Sequence, residues 1–368
     1  MSKIGRKEVI RKIRPQNIVL PVIIGLLLVA YLIKKEFAGE SFTELSFNTR
    51  SFLFLGLALC CMVFRDLGYM IRIRILTEND LTWKKAFRVI MLWEFTSAIS
   101  PSTIGGTAVA VVFIHKEGLK VGRSSSVVLL TSFLDELYFV LMFPLLLLLI
   151  SKERLFMQHS ILSDKALYIN ELFLFAFIGY TIKLIWVILV GYGLFFNPRG
   201  LKKLIVKIFS MPILRRWHEQ AINAGDDIIK SSMHFKEKNA FFWIKASLAT
   251  FLSWTSRYLV ANAILIAFFA VKEHILIFAR QLVMFIMMII SPTPGGSGIA
   301  EFLFSRYLSD FVPVSPGNIG ATALAIALMW RAVTYYPYLI AGTIIAPGWI
   351  NKNFFRNRYN KKVKGEES

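Results

Sequence analysis

Ten ionisable residues sit inside otherwise apolar stretches of this chain: Arg65, Asp66, Glu94, Asp135, Glu136, Lys183, Arg257, Arg280, Glu301 and Arg331. At bilayer depth a charge costs about 2.5–3.5 kcal/mol even on lenient insertion scales, so each must face protein or water and find a partner. Five are basic and five acidic, which allows mutual pairing. Arg257 stands apart. In SWTSRYLV it shares a stretch with the hydroxyl carriers Ser253, Thr255, Ser256 and Tyr258. A guanidinium is a planar fork of donors that fits a phosphate at two points, or a carboxylate in a structural salt bridge. Both readings are open for Arg257, whereas Arg331 reads as a structural partner of Glu301. Arg65 and Asp66, near one end of their stretch, are expected to reach the interface along their stems. Lys183 has no motif around it.

Arg280 and Arg331 approach one of two nearly identical strings. Ile99-Ser100-Pro101-Ser102-Thr103-Ile104-Gly105-Gly106 and Ile290-Ser291-Pro292-Thr293-Pro294-Gly295-Gly296 each interrupt an apolar run. Proline and glycine leave backbone groups without helical partners there. Lipid cannot satisfy those groups, so such segments are buried in protein or line a wet cavity. Breaks in corresponding positions of two halves point to a transporter's binding site. The expected site joins Arg257, Arg280, Ser253, Ser256 and Tyr258 to the segment Gly295, Gly296 and Ser297, as a pocket for an anionic lipid headgroup. Structural or coupling roles are expected for Glu301, Arg331, Glu94, Asp135 and Glu136, and for Pro101, Gly105, Gly106, Pro292 and Pro294 at the breaks. Glu301 is expected to pin the second break by accepting backbone amides or an arginine; carrying a proton is its other option.

The elements that must position these residues are membrane helices. The chain has 368 residues, 56% of them hydrophobic and 18% charged, with a mean hydropathy of +0.58. Soluble domains carry about 25% charged residues. Several apolar blocks reach the roughly 20 residues that a bilayer core requires, and they lack the alternation of a transmembrane barrel. Most of the 43 basic residues lie in the N-terminal arm, in 72–88, 116–123 and 199–238, and after Trp349. That bias marks cytoplasmic segments and attracts anionic headgroups. The expected fold is an all-α polytopic membrane protein with six full spans, at about 16–33, 51–71, 124–150, 168–195, 241–270 and 317–347. Two oppositely oriented re-entrant hairpins complete it, 86–114 from the cytoplasmic side and 275–309 from outside. Residues 1–150 and 168–347 then form an inverted-topology repeat. The second half carries a basic cytoplasmic loop, 197–240, and 348–368 is a basic tail. Both termini are expected in the cytoplasm, at a bacterial inner membrane.

The net charge of +20 is therefore a topology signal and not a nucleic-acid surface. Cys60 and Cys61, adjacent in an apolar run, offer neither a disulfide framework nor a metal site. The five histidines are scattered, and none forms a His-Glu-x-x-His pattern. Asp226-Asp227 reads as surface charge. No cofactor, metal or nucleotide signature is expected, and few conditions for an active site are met. The alternatives to a transporter are a non-transporting membrane partner of a cell-envelope lipid or glycan enzyme, and a membrane-embedded lipid-phosphate enzyme.

Three features together resemble the membrane domain of the lysylphosphatidylglycerol synthase/flippase family: PTPGGSGIAEF at 292–302, the later helix with Arg331 and Pro337, and SPSTIGG followed by the basic HKEGLKVGR. The resemblance covers about 15–347. In the first string Ile104 is an extra residue, and Thr107-Ala108-Val109 stands where family members often place a charge. The resemblance implies lipid translocation. It also implies that a chain ending at Ser368 has no room for the cytosolic aminoacyl transferase and does not make lysyl-lipid. Stand-alone members imply a flippase, with polyprenyl-phosphate-linked sugars among the candidate cargoes.

Overall fold

The computed structural model describes residues 45–100, 103–156, 165–212, 215, 218–288, 293–312 and 319–356. The expected first span, the N-terminal arm, Pro101, Pro292 and most of the basic tail lie outside them. Among the described residues every element is helical. In chain order they are α1 (Thr49–Leu76), α2 (Trp83–Ile99), α3 (Thr103–Lys116), α4 (Val121–Leu149), α5 (Lys152–Phe156), α6 (Lys165–Phe195) and α7 (Pro198–Phe209). There follow α8 (His218–Lys236), α9 (Ala240–Phe268), α10 (His274–Met287), α11 (Ile299–Leu308), α12 (Ile319–Thr334) and α13 (Tyr336–Ile350). A 3-10 turn, Pro294–Gly296, precedes α11.

Five segments are long and apolar enough to cross a bilayer: Thr49–Leu76, Val121–Leu149, Asn170–Phe195, Ala240–Phe268 and Ile319–Asn353. They coincide with the five expected spans that fall on described residues. Their starts follow ordinary capping chemistry. The Asn48 side chain accepts the Ser51 amide at 3.0 Å, and the Asn239 side chain accepts the Phe242 amide at 3.0 Å, each satisfying a first-turn donor that has no helical partner. Outward faces are apolar: Leu148 on α4 is 84% exposed, and Leu248 and Leu259 on α9 are also exposed. Such bands match a lipid solvent.

Three departures from the expected path have physical causes. Where a basic cytoplasmic loop is expected at 197–240, the described residues form an amphipathic pair, α7 and α8, packed on each other. Leu201, Leu204, Ile205 and Ile208 recur at helical spacing on α7 while Lys202, Lys203 and Lys207 take other faces, and a Lys202–Asp226 ion pair of 2.6 Å joins the two helices. The last span is divided at Tyr335, whose φ of −129° departs from helix, because Pro337 cannot continue the hydrogen-bond ladder. Lastly, α1 runs on to Leu76, five residues past the expected end of that span, and carries Arg72 into the core, where it is 3% exposed.

Both breaks are shaped by glycine. A Cβ on Gly106 would lie 2.9 Å from Ser97 Cα, so only glycine lets α3 lie this close to α2. At the second break Gly295, Gly296 and Gly298 have φ of 57°, 69° and 82°, a left-handed run that side chains resist.

Candidate functional site

Glu301 sits in the first turn of α11 and is 2% exposed. It accepts the Gly298 amide at 2.5 Å through Oε2, and Arg331 Nε donates to Oε1 at 2.7 Å. Arg331 also donates to the Gly295 carbonyl at 2.9 Å. The carboxylate and guanidinium thus clamp the turn from both ends. The same turn meets the first break. Tyr335 donates through its hydroxyl to the Ala98 carbonyl at 3.1 Å, and a Cβ on Gly295 would lie 2.9 Å from that carbonyl oxygen. Ser297, buried, lies 3.5 Å from the Tyr335 hydroxyl. Gly105 falls in the first turn of α3 and Pro294 opens the 3-10 turn.

The other charges gather into networks. Arg65, 1% exposed, reaches Asp66 at 2.9 Å and Glu94 at 2.6 Å, with Tyr338 donating to both Asp66 oxygens at 2.9 and 3.0 Å. Its burial overturns the expectation that this pair reaches the interface; the guanidinium is stacked between Tyr69 and Tyr338, at 4.6 and 4.9 Å. Arg72 pairs with Asp135 and donates to Thr250 at 3.1 Å, and Trp254 Nε1 donates to Asp135 at 2.6 Å. Lys183 pairs with Glu136. Arg280 joins Asp310 at 2.6 Å, the Tyr307 carbonyl at 2.9 Å and the Arg154 carbonyl at 2.8 Å. It staples α5, α10 and the end of α11.

Arg257 differs from all of these. Among the described residues it has no carboxylate partner; its guanidinium lies over Phe285 at 5.1 Å and Trp254 at 5.8 Å. On α9 it shares a face with Thr250, Trp254, Ala261 and Ile264, at helical spacing, and all four are buried. Arg257 itself is half-buried, so this inward face opens at the charge. Its neighbour Tyr258, 2% exposed, has no hydrogen-bond partner for its hydroxyl among the described residues. Ser253 instead bonds the Arg65 and Ala249 carbonyls at 3.0 and 3.1 Å and ties α9 to α1. Ser256 is buried beside it.

Residues 18–342 match the description of the lysylphosphatidylglycerol synthase TM region. The chain belongs to that family. A relative named UPF0104 membrane protein, from Archaeoglobus fulgidus, is 24% identical over 321 residues, covering 84% of this chain and 90% of that protein. No solved structure matches. With the helical architecture, membership makes this a multi-pass membrane protein of the synthase TM-region family.

Sequence reasoning missed Arg72, Trp254, Tyr335 and Tyr338. One signal was available: Arg65, Tyr69 and Arg72 recur at i, i+4 and i+7, a single helix face. Nothing comparable marks Tyr335, whose role depends on the kink beside it.

Proposed function

We propose that the protein moves an anionic, phosphate-bearing lipid across the cytoplasmic membrane, the headgroup passing through the interior while the tails stay in lipid. One observation carries this reading: Arg257, a permanent cation on the inward face of a spanning helix, partly open and without a carboxylate. An unpaired charge at that depth is costly, and a phosphate supplies the missing partner through two parallel hydrogen bonds. The rings of Trp254 and Phe285 hold the guanidinium without neutralising it, leaving its donors for a ligand.

Helix lengths support the path. By helical rise, α2 and α3, of 17 and 14 residues, extend about 25 and 21 Å, and α10 and α11, of 14 and 10 residues, about 21 and 15 Å. A hydrocarbon core of about 30 Å exceeds each of them. We therefore read α2–α3 and α10–α11 as re-entrant hairpins from opposite sides, in two inverted halves, with the basic segments and both termini cytoplasmic. The headgroup site is Arg257, Tyr258 and Ser256, near the second hairpin; Arg280 and Ser253 are held elsewhere. We read the protein as a transporter and not an enzyme, since Asp135, Glu136 and Glu301 are each neutralised by a cation and none is poised as a free acid or base.

The test is reconstitution in liposomes with fluorescent phosphatidylglycerol and phosphatidylcholine, followed by surface quenching. Wild type moves the anionic probe, and Arg257→Ala slows it roughly tenfold or more, the loss expected for a charge-assisted contact of about 1.5–3 kcal/mol. Equal rates in wild type and variant would remove Arg257 from the mechanism. Absence of movement for either lipid would favour the partner-protein alternative, and conversion of the probe an enzyme.

A further inference from the structure

We infer that the Asp66–Glu94 carboxylate pair is a binding site for one exchangeable proton. Two guanidiniums meet at the Tyr69 ring, and three carboxylates bind them. Arg65 and Arg72 lie over it at 4.6 and 4.8 Å; Asp66 and Glu94 both bind Arg65, and Asp135 binds Arg72. Fully ionised, two guanidiniums face three carboxylates, one negative charge in excess. Of the cations on the packed helices, Arg257 on α9 lies over Trp254 on the Asp135 side and, among the described residues, makes no ion pair with Asp66 or Glu94. Thr250 and Ser253 are the α9 groups bonded to this network, α13 supplies the Tyr338 hydroxyl, Arg331 on α12 is held by Glu301, and Lys183 by Glu136.

Two carboxylates that share a site cannot both ionise freely, so one proton is bound to the pair and not to either acid alone. Arg72 fully occupies Asp135 with two contacts, which leaves the excess on Asp66 and Glu94. Depth reinforces this. Asp66 lies ten residues before the end of α1 and Glu94 eleven residues after the start of α2, about 15 Å from each helix's basic end, near the middle of the hydrocarbon. The site is nevertheless accessible: the side chains are 21% and 23% exposed. Among the described residues the buried Arg65 Nε has no acceptor. Binding is a simple transfer: a carboxylate oxygen takes a proton from water, and deprotonation returns it.

The proton site stands on this geometry, and only its coupling to lipid movement rests on the function proposed above. Infrared difference spectroscopy of the reconstituted protein, stepped from about pH 5 to about pH 9, reads the site directly. Wild type shows one protonated-carboxyl C=O band that disappears as pH rises. Both Glu94→Gln and Asp66→Asn lack it, because each leaves Arg65 with a single ionised partner. No titrating band in wild type, or one that survives both substitutions, overturns the inference. In liposomes an imposed pH gradient alters the wild-type lipid rate at least twofold and leaves the Glu94→Gln rate unresponsive; a sodium gradient that acts where the proton gradient does not overturns the proton in favour of a metal cation. The expected bands without any lipid movement keep the proton site and sink the transport reading, whereas lipid movement without a titrating band does the reverse.

Discussion

Arg331 and Glu301 are 4% and 2% exposed, so neither can turn to water if its partner is lost. Arg331→Gln strands a buried carboxylate, and Glu301→Gln a buried guanidinium; each is expected to cost about 3–5 kcal/mol. The double substitution removes both charges and recovers part of that loss. Thermal unfolding in detergent checks this, and equal melting temperatures for wild type and the Arg331→Gln variant would show that the clamp contributes nothing. This pair was legible in the sequence, since a carboxylate closing a glycine-rich turn needs donors and Arg331 lies on the next helix. The partnership of Arg72 with Asp135 was not. Arg72 begins a basic run that reads as a loop, and its partner lies 63 positions away. Charge alone does not reveal which helix face a residue takes once the helix outruns its apolar block.

At the scale of elements, the two breaks make separate demands. Gly106→Ala puts a methyl against the Ser97 backbone, which cannot yield as a flexible side chain does. Overpacking of this kind is expected to cost about 1–3 kcal/mol, again read as a lowered melting temperature; an unchanged value would mean that α2 and α3 lie further apart. The second hairpin makes a topological prediction. With single cysteines at Lys272 and Ser309, an impermeant thiol reagent added outside labels both if α10 and α11 turn back together. Labelling from opposite faces would make this segment a crossing. The breaks themselves were readable because proline and glycine have fixed conformational consequences. Helices α7 and α8 were concealed because a high density of lysine resembles a solvated loop unless the apolar residues are counted at helical spacing.

For the whole molecule, five of the expected spans were legible from apolar blocks, because length and hydropathy are local properties. The meeting of the two breaks was not. It joins Ala98 to Tyr335 across 237 positions through one hydroxyl, and if lipid moves as proposed, by one half rocking against the other, that motion must loosen it. On that proposal the contact belongs to one conformation and slows departure from it. A neutral hydrogen bond contributes about 1 kcal/mol net, so Tyr335→Phe is expected to speed lipid movement by up to about fivefold while keeping the ring that packs on Gly295. Initial quenching rates in liposomes, compared at equal protein density and with matched melting temperatures, decide the matter. A slower Tyr335→Phe protein would make the bond a support of the transport-competent state, and an unchanged one would place the moving boundary away from the point where the breaks touch.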